Sequence, residues 1–446
     1  MNIIKNINSV LAPRLGVAKR WFSHPARFTS PIKKFGNQTF ASLKIRNYRL
    51  SFIGQMISQS GTWMQIVALG WLVLQLTGSG SQLGLVVAAG FWPILTLGPW
   101  GGVIADRFNK RTILYWTHSL FSALVIGVSI LVFTDTIQLW MLYIFAFSHG
   151  MIRVFDNPAR QSFVSELVDS AHLKNAVSLT ATGNHLMRAV GPSIAGILIA
   201  GIGIAFCFLI NGLSYIAVIV TLYLMDEKEL HTEPPNSEKS GQLIAGFRYV
   251  MATPLIKKTL AMMAVIGTFA YEFQVSLPLL AQQTFKGDAA SYAALLAAMG
   301  IGSGVGGLYS AGRHKIAHHH LVMFAMLFGA SMVATALMPT LQLAVVGMFF
   351  VGIFSINVIS LGNTTVQLES IPEMRGRVMA LWSVAMVGST AIGGPIIGFI
   401  GEHAGARWGL AVGGIVTIMM VAFLTYSLLQ KDVLEEIPED VQEKID

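Results

Sequence analysis

The sequence predicts an all-α membrane protein in which twelve transmembrane helices form two pseudo-symmetric six-helix bundles. Of the 446 residues, 54% are apolar and only 12% are charged, against about a quarter charged in ordinary soluble domains. The apolar residues form runs long enough to cross a hydrocarbon core of about 30 Å as helices. Residues 101–110, GGVIADRFNK, align without gaps on residues 306–315, GGLYSAGRHK, and residues 166–192 align on residues 369–395. The two alignments are shifted by nearly the same number of residues, which indicates that one half of the chain duplicates the other.

The apolar runs and the breaking residues between them define the spans and the segments of the chain. The spans lie near residues 50–76, 82–105, 112–132, 138–157, 176–200, 203–225, 258–283, 289–312, 321–338, 341–363, 378–400 and 408–430. The segments are a basic N-terminal segment (1–49), a first bundle (50–225), a linker (226–257), a second bundle (258–430) and a C-terminal tail (431–446). The linker is charged and contains Pro234-Pro235, and near its end Leu243, Phe247, Val250 and Met251 recur at helical spacing. This spacing predicts a short helix on the membrane surface.

The distribution of Lys and Arg predicts the orientation. With both termini in the cytoplasm, 27 of the 30 Lys/Arg residues fall on cytoplasmic segments, Lys286 and Arg407 fall outside, and Arg188 lies within a span. This asymmetry is the positive-inside pattern of membrane proteins, so the basic charge is not a sign of nucleic-acid binding. The N-terminal segment is either a cytoplasmic tail near anionic lipid or a mitochondrial presequence. A single cysteine, Cys207, excludes an intramolecular disulfide.

The turn after the second span resembles the signature of the major facilitator superfamily, G-x-L-A-D-R-x-G-R-R. The matching residues are Gly102, Ile104, Ala105, Asp106, Arg107, Lys110 and Arg111. Asn109 stands where the second glycine is usual, and asparagine tolerates left-handed backbone better than most residues. Further stretches, GTWMQIVALGWLVLQLTGS, FDNPARQSFVSELV, GPSIAG and RGRVMALWS, are similar to the branch that contains the enterobactin exporter and macrolide-efflux-type proteins, the transmembrane secretion effectors. The resemblance runs from about residue 45 to residue 429.

The resemblance implies a cytoplasmic latch at this turn. In the family fold the turn lies near the start of span eleven, around Arg377, where a carboxylate such as Asp106 would stabilise the helix N-terminus. Arg107, Lys110 and Arg111 could bind carboxylates or lipid phosphates. For Lys110 and Arg111 a second interpretation stays open, in which they only follow the positive-inside rule.

A second motif lies in span five. Gly183, Gly191, Pro192 and Gly196 resemble the antiporter motif of the superfamily, which accompanies export, although Ala195 replaces one glycine of its closing pair. Glycines permit close approach of helices and proline bends a helix. The alternative interpretation is a packing motif that does not determine the direction of transport.

Ionisable side chains inside spans cost about 2.5–3.5 kcal/mol on insertion scales and therefore mark candidate sites. Glu272 is predicted near the middle of span seven, on the central cavity, and is the leading candidate for a proton-carrying group; the alternative is a permanent hydrogen-bonded structural role. Arg188 is predicted near the middle of span five, with His185 one turn earlier. Arg188 needs an anionic partner, which is either the substrate or a protein carboxylate.

Further polar residues lie in spans one and four. Arg153, Asp156 and Arg160 lie on one face of span four, where Pro158 is expected to end the helix, and a structural or gating role is favoured over substrate binding. His149 is a proton-relay candidate. In span one, Gln55, Ser58, Gln59 and Thr62 form a polar stripe that is expected to face the cavity.

Other motifs are rejected. The glycines Gly302, Gly304 and Gly307 fit a dinucleotide pattern but lie inside a span, and His318 to His320 lack further ligands. No phosphate-binding loop or nucleophile–base pair is found in the sequence. We therefore predict a protein that is not an enzyme and that uses no cofactor or metal ion.

These observations together predict a monomeric secondary transporter in a bacterial inner membrane. It exports a small amphiphilic molecule, siderophore-like or drug-like, by proton antiport with alternating access. The alternatives are a sodium gradient as the energy source, import on the same fold, and a membrane sensor or assembly partner that does not transport.

Overall fold

The computed structural model describes residues 40–231, 242–311 and 318–435, without the side chains of residues 99, 103–106, 242–244, 311, 318 and 426–435. The first half contains α1 (Arg46–Thr77), α2 (Gly80–Arg107), α3 (Lys110–Phe133), α4 (Leu139–Glu166), α5 (Ser170–Gly201) and α6 (Ile204–Tyr223). The linker forms α7 (Gln242–Ala252). The second half contains α8 (Pro254–Ala270), α9 (Phe273–Leu279), α10 (Ala289–Ala311), α11 (His318–Leu337), α12 (Leu341–Glu369), α13 (Pro372–Ser383), α14 (Thr390–His403) and α15 (Ala406–Glu435).

The all-α membrane fold is confirmed, since the described residues contain helices and no strand. Among them, nine helical segments are long and apolar enough to cross a membrane. Three further long helices, α1, α4 and α5, carry the polar and charged residues that lower their mean hydropathy. Counting these three gives a total consistent with twelve spans, because a helix that faces a polar cavity on one side need not be apolar all round.

Contacts between helices divide the described chain into two groups. In the first half α1 packs on α5 and α6, α3 packs on α6, and α2 packs on α4. In the second half α10 packs on α12, and α11 and α8 pack on α15. The two halves meet along two seams, α2 against α14 and α5 against α10. The internal repeat relates α2 to α10 and α5 to α13–α14, so each seam is the counterpart of the other.

The molecule has two faces, which we name by their charge. The basic face carries the α2–α3, α4–α5 and α12–α13 connections, and the opposite face carries the α1–α2, α3–α4 and α5–α6 connections. The tightest approaches between the halves lie toward the opposite face, where Gly80 and Gly84 meet the backbone of Gly398 and Gly394. Toward the basic face, an added Cβ at Gly102 or Gly304 would meet nothing within 4 Å. The close glycine contacts between the halves therefore lie near the opposite face.

Two predicted spans are interrupted. Span seven is broken at Tyr271 and Glu272, and the Glu272 carbonyl accepts the backbone N–H groups of Val275 and Ser276 at 3.1 and 2.9 Å to start α9. Span eleven contains a π-helical turn, Val384–Gly388, between α13 and α14. Both irregularities lie where the two halves meet, and such backbone is tolerated at membrane depth only when it is surrounded by protein or faces a cavity.

The expectation that Pro158 ends α4 is wrong, because the helix continues to Glu166. Proline cannot donate to the carbonyl four residues earlier, which is that of Val154. Gly101 of α2 lies directly against this carbonyl. The carbonyl that Pro158 leaves without its helical donor is therefore covered by the neighbouring helix α2.

The linker helix α7 lies against α13, where Gly246 approaches the Arg377 side chain. The Tyr249 hydroxyl accepts the Ile371 N–H at 3.2 Å and donates to the Glu369 carbonyl at 3.4 Å. Phe247 and Met251 are exposed on the other side. A helix with one docked face and one exposed apolar face fits the predicted position at a membrane surface, which stays a prediction.

Candidate functional site

The first half contains a polar cavity of about 190 Å³, which we call the central cavity. Its walls come from α1, α3, α4 and α6 with Phe91 of α2, and Gln274 of α9 is the contribution of the second half. Eight residues singled out from the sequence line this cavity: Gln55, Ser58, Gln59, Thr62, His149, Arg153, Asp156 and Arg160. The α1 stripe and His149 were expected on a cavity and the charged α4 residues at the cytoplasmic gate, and the structure brings both sets onto one surface.

Two further cavities adjoin the central cavity. A cavity of about 400 Å³ near the basic face shares Gln55, Gln59, His118 and Arg160 with it. A smaller one of about 70 Å³ shares Thr62, His149, Arg153 and Gln274 with it. Ionisable side chains stand at both junctions. Together the three cavities trace a polar path along α1 from the basic face into the molecule.

Asp156 is the centre of a buried network at the first junction. Its exposed fraction is 4%, and its Oδ1 accepts the Thr117 hydroxyl at 2.9 Å. The Nδ1 of His118 lies 3.4 Å from Oδ1, and the Nε of Arg160 lies 3.2 Å from Oδ2. A buried carboxylate is stable only when it is paired and hydrogen-bonded in this way.

Arg153 and His149 stand at the second junction without such partners. The Arg153 guanidinium lies 5.2 Å from the centre of the Phe91 ring, and no described carboxylate lies within 4.0 Å of it. His149 lies between Phe121 and Phe145, with ring centroids 4.7 and 5.9 Å away, and its Nε2 is buried without a hydrogen-bond partner among the described residues. The central cavity therefore offers an unpaired cation beside an aromatic wall.

Arg188 lies behind the central cavity, at the α5–α10 seam. Its guanidinium is 5.3 Å from the centre of the Trp63 ring, and Trp63 itself lines the cavity. Its Nη2 lies 4.0 Å from the Met299 sulfur, and its Nε is buried without a partner among the described residues. His185 is half-buried one turn earlier on α5. Neither Arg188 nor His185 lines any of the three cavities.

Glu272 occupies the break between α8 and α9 and is 2% exposed. Its two oxygens have no hydrogen-bond partner of regular geometry among the described residues, although the Thr390 hydroxyl lies close. The carboxyl group faces Gly393 and Gly394 of α14. The structure therefore places Glu272 beside the α2–α14 seam, and Gln274, two residues later, reaches the central cavity.

The basic residues of the signature turn bind within the first half. Lys110 pairs with Glu166 at 2.5 Å, and Arg111 pairs with Glu227 and donates to the Leu222 carbonyl. Arg107 is exposed, and the side chain of the predicted latch residue Asp106 lies outside the described residues. Asn109 has φ −59° and caps α3 by accepting the Thr112 N–H at 3.1 Å. Its tolerance of left-handed backbone is therefore not used, since asparagine serves here as an N-cap.

The antiporter-like motif packs α5 against two neighbours. Gly183 faces Met56 and Gly191 faces Trp63, both on α1, while Gly196 faces Ala293 of α10. Pro192 lies inside α5, which continues to Gly201. The motif thus belongs to the contact surfaces of α5, and its bearing on the direction of transport stays a prediction.

His118, Asn157, Tyr215 and Gln274 are polar cavity residues that the sequence reasoning missed. His118 is 3% exposed, lies in the apolar run of α3, and its ring contacts Phe121 and Tyr215. His118 could have been found from the sequence, because an ionisable residue inside a span is energetically costly and therefore marks a candidate site, as it does for Glu272. Tyr215 carries no comparable signal, since tyrosine is common in apolar segments.

The helices, seams and polar cavity can be compared with known proteins. The sequence profile of the transmembrane secretion effectors matches residues 37–444. This chain belongs to that family. It is therefore a multi-pass membrane transporter of the major facilitator type, and the resemblance seen in its motifs is confirmed.

Its relatives include proteins named as an enterobactin exporter and a staphyloferrin A transporter. The chain is 26% identical to the enterobactin exporter EntS of Shigella boydii over 388 residues, which cover 84% of this chain and 92% of EntS. It is 26% identical to the MFS-type transporter YfiS of Bacillus subtilis, covering 61% and 65% of the two chains. It is 31% identical to the staphyloferrin A transporter of Staphylococcus aureus, covering only 37% and 42%.

A solved structure shares the fold. The inward-facing, unoccupied structure of a bacterial homologue of the human lysosomal transporter Spinster superposes with a TM-score of 0.64. The match covers 85% of this chain and 94% of that one at 14% sequence identity. At this identity the likeness concerns the fold alone.

Proposed function

We propose that this transporter exports a small amphiphilic organic anion, siderophore-like or drug-like, across the bacterial inner membrane by proton antiport. The observation that carries the proposal is the charge of the central cavity. Arg153, Arg160 and Asp156 line it, so its charged groups sum to an excess of one positive charge with histidines neutral. Asp156 is already paired with Arg160. Arg153 therefore has no described carboxylate partner and is available to bind a ligand.

An anion with aromatic parts fits this cavity. A guanidinium binds a carboxylate or catecholate through parallel hydrogen bonds. Trp63, Phe91 and Phe121 supply apolar surface next to it. Arg188 would provide a second cation if the Trp63 ring moved aside. An unpaired arginine in a poorly hydrated site is costly, and a bound anion removes that cost.

The relatives support the substrate class. One is named an enterobactin exporter and another a staphyloferrin A transporter. The proposal takes from them only the class, small iron-chelating organic anions. The proposal also includes drug-like amphiphilic anions, because the aromatic surface and the single cation can bind anions other than iron chelators.

Export from the cytoplasm requires the basic face to be cytoplasmic, as the positive-inside rule predicts. The cavity of about 400 Å³ lies toward that face, while the close glycine contacts between the halves lie toward the opposite one. A cargo from the cytoplasm could thus enter the conformation described here. Lys110, Arg111, Arg107 and Asp106 would stabilise the basic-face turn when that side closes.

For proton coupling we propose Glu272 as the main group, with His149 and His185 as further candidates. Glu272 lies beside the α2–α14 seam and not on the cavity wall, so a proton there adds no charge next to the anion. Coupling would therefore act through conformation. The proton and the substrate would both shift the equilibrium between the same two conformations of the transporter. This shared equilibrium is enough to couple their movements.

Purified protein in proteoliposomes tests the proposal. With an imposed pH gradient we expect transport of enterobactin and, in Glu272→Gln, loss of gradient-driven transport with exchange retained. Vesicles that move no probe under a pH gradient would favour a sensor, and unchanged gradient-driven transport in Glu272→Gln would end the role of that residue.

Direction is tested in cells. Deletion of the gene should raise the intracellular concentration of the exported metabolite and lower it in the medium, most strongly under low iron. A lowered intracellular concentration would instead show import. Comparing culture-medium metabolites of deletion and parent strains also identifies the compound.

A further inference from the structure

The α2–α14 seam is made of glycines in direct backbone contact. A Cβ at Gly80 would lie 2.8 Å from the Gly398 carbonyl oxygen, and a Cβ at Gly84 would overlap the carbonyl of Gly394. Both contacts join the two halves near the opposite face. Opening that face must separate these helices, so the seam is part of the gate.

A carboxyl group lies directly behind this seam. Glu272 touches Gly393, and Gly394, the next residue, touches Gly84 on the other side. No described side chain forms an ion pair with Glu272. The groups that face it are Thr390, with Gly393 and Gly394 of α14. The adjacent Tyr271 hydroxyl is engaged elsewhere, donating to the Ser355 carbonyl at 2.7 Å.

A second carboxylate stands at the outer end of the same seam. Glu402, at the end of α14, is exposed and accepts the Ser79 hydroxyl and the Ser81 N–H, both at 2.8 Å. Ser79 and Ser81 lie at the start of α2, in the other half of the molecule. His403 is the titratable neighbour of Glu402, and its Nδ1 lies 3.0 Å from the Phe399 carbonyl oxygen. Glu402 thus joins the two halves and stabilises the N-terminus of α2 as an anion.

We propose that the α2–α14 seam is a proton-sensitive gate, closed when Glu272 is neutral and Glu402 is charged. A buried carboxylate without a partner costs several kcal/mol, whereas the neutral acid costs far less. Separation of α2 from α14 would hydrate Glu272 and remove that cost. The closed seam therefore binds one proton more than the open seam at Glu272, and acidification favours closure.

The proposal assigns a step of the cycle to the proton. It rests on the alternating-access part of the proposed function and not on substrate or direction. The empty transporter would close its opposite face after Glu272 takes a proton from that side. Gln274, two residues after Glu272, lines the central cavity, so we assign the release of the proton to that side.

Distances between spin labels test the proposal on the full chain in nanodiscs, without any substrate. Ile202 and Leu337 are exposed at the opposite-face ends of α5 and α11, one in each half. Cysteines at these positions, with Cys207 replaced by serine, carry the labels. We expect the long-distance, open population to rise with pH, with its ratio to the closed one changing by up to about tenfold per pH unit.

Glu272→Gln should abolish this pH dependence, because the amide stays neutral at every pH. Glu402→Gln is the matched control at the same seam, because it removes charge from an exposed carboxylate. It should raise the open population about two- to fivefold and keep the pH dependence. Gly84→Ala should open the seam at every pH, while Gly127→Ala, with nothing within 4 Å of the added Cβ, should not.

Three results would overturn the proposal. The first is an open population that rises on acidification, or does not change with pH, in the unsubstituted protein. The second is a Glu272→Gln variant that keeps the original pH dependence. The third is a Gly84→Ala variant whose seam stays closed. The first result is measured on the unsubstituted protein, so it does not depend on whether the Glu272→Gln variant folds. Since no transported compound is used, a failure here is separate from a failure of the transport assay.

Discussion

The charged side chains inside this transporter differ in whether the protein itself supplies their partners. Asp156 has Thr117, His118 and Arg160 around it. Arg153 and Glu272 have no ion-pair partner among the described side chains. A paired charge stabilises one structure, whereas an unpaired one is available to a ligand or a proton. This difference separates structural from functional residues on the same helices.

Arg153→Gln should weaken binding of anionic probes by about 10- to 100-fold, since a hydrogen bond to a charged group contributes about 1.5–3 kcal/mol. Binding of a neutral probe of similar size should change little. Isothermal titration of enterobactin against the purified variant measures the effect. Lys174→Gln on the exposed start of α5 is the control and should bind as the parent does. Equal losses for neutral and anionic probes would point to a bracing role for Arg153.

Asp156→Asn should lower stability by about 1–3 kcal/mol, because it removes the charge that pairs with the half-buried Arg160 and binds the Thr117 hydroxyl. A lower midpoint of thermal unfolding in detergent, followed by size-exclusion chromatography, reports this change. The exposed Asp169–His172 pair is the matched control. The His172 N–H and ring hydrogen bonds, at 2.9 and 2.7 Å, lower the pKa of the Asp169 carboxyl. Asp169→Asn should nevertheless leave the midpoint nearly unchanged, because the pair is solvated.

At the scale of helices, two prolines serve the same arrangement. Pro158 frees the Val154 carbonyl, which meets Gly101 of α2, and Pro192 frees the Arg188 carbonyl, which meets Gly300 of α10. In each case the glycine of the neighbouring helix lets its backbone approach. The position of the proline thus determines where the neighbouring helix needs a glycine.

Gly300→Ala should disturb the α5–α10 seam, because the added methyl would lie 2.7 Å from the Arg188 carbonyl oxygen. We expect a loss of about 1–3 kcal/mol, as in overpacked cores, and slower transport. Gly304→Ala, one turn later on the same helix, is the control, since its methyl would meet nothing within 4 Å. It should be neutral or stabilising by up to about 1 kcal/mol. Equal thermal midpoints for the two variants would contradict the seam argument.

At the scale of the whole molecule, the repeat explains why two seams of the same kind close one face. The α2–α14 and α5–α10 contacts occupy equivalent positions in the two halves. The seams are not equivalent in chemistry, since Glu272 and Glu402 belong to the first and Arg188 to the second. A duplicated framework therefore carries proton and anion candidates on different sides of one molecule.

The orientation in the membrane can be measured directly. Cysteines at Phe108, exposed on the α2–α3 turn, and at Thr134, exposed at the end of α3, lie on the two faces. Native Cys207 is 0% exposed and should label poorly. We expect an impermeant maleimide added to intact spheroplasts to label the Thr134 variant and not the Phe108 variant. The reverse result would place the basic face outside and contradict export from that side.

Much of the candidate site was predictable because a charged side chain in a membrane span is energetically costly and therefore marks a candidate site. Gln55 and Gln59 were predicted from helical spacing to face a cavity, and they line one. Arg153 and Asp156 were instead assigned to the cytoplasmic gate and Glu272 to the central cavity, whereas the structure places the first two on the cavity and Glu272 behind α14. Helical spacing gives the position of a residue along one helix, whereas its neighbours depend on how other helices pack.

The sequence by itself determined that this chain is an all-α membrane transporter built from two related halves. Hydrophobicity, the positive-inside pattern and the repeat are properties of the chain that do not depend on packing. Only the tertiary structure decided that Pro158 stays inside α4, that span seven breaks at Glu272, and that Asp156 is paired while Arg153 is not. Those outcomes depend on contacts between residues distant in sequence, where a glycine, a carbonyl or a second charge on another helix sets the energy.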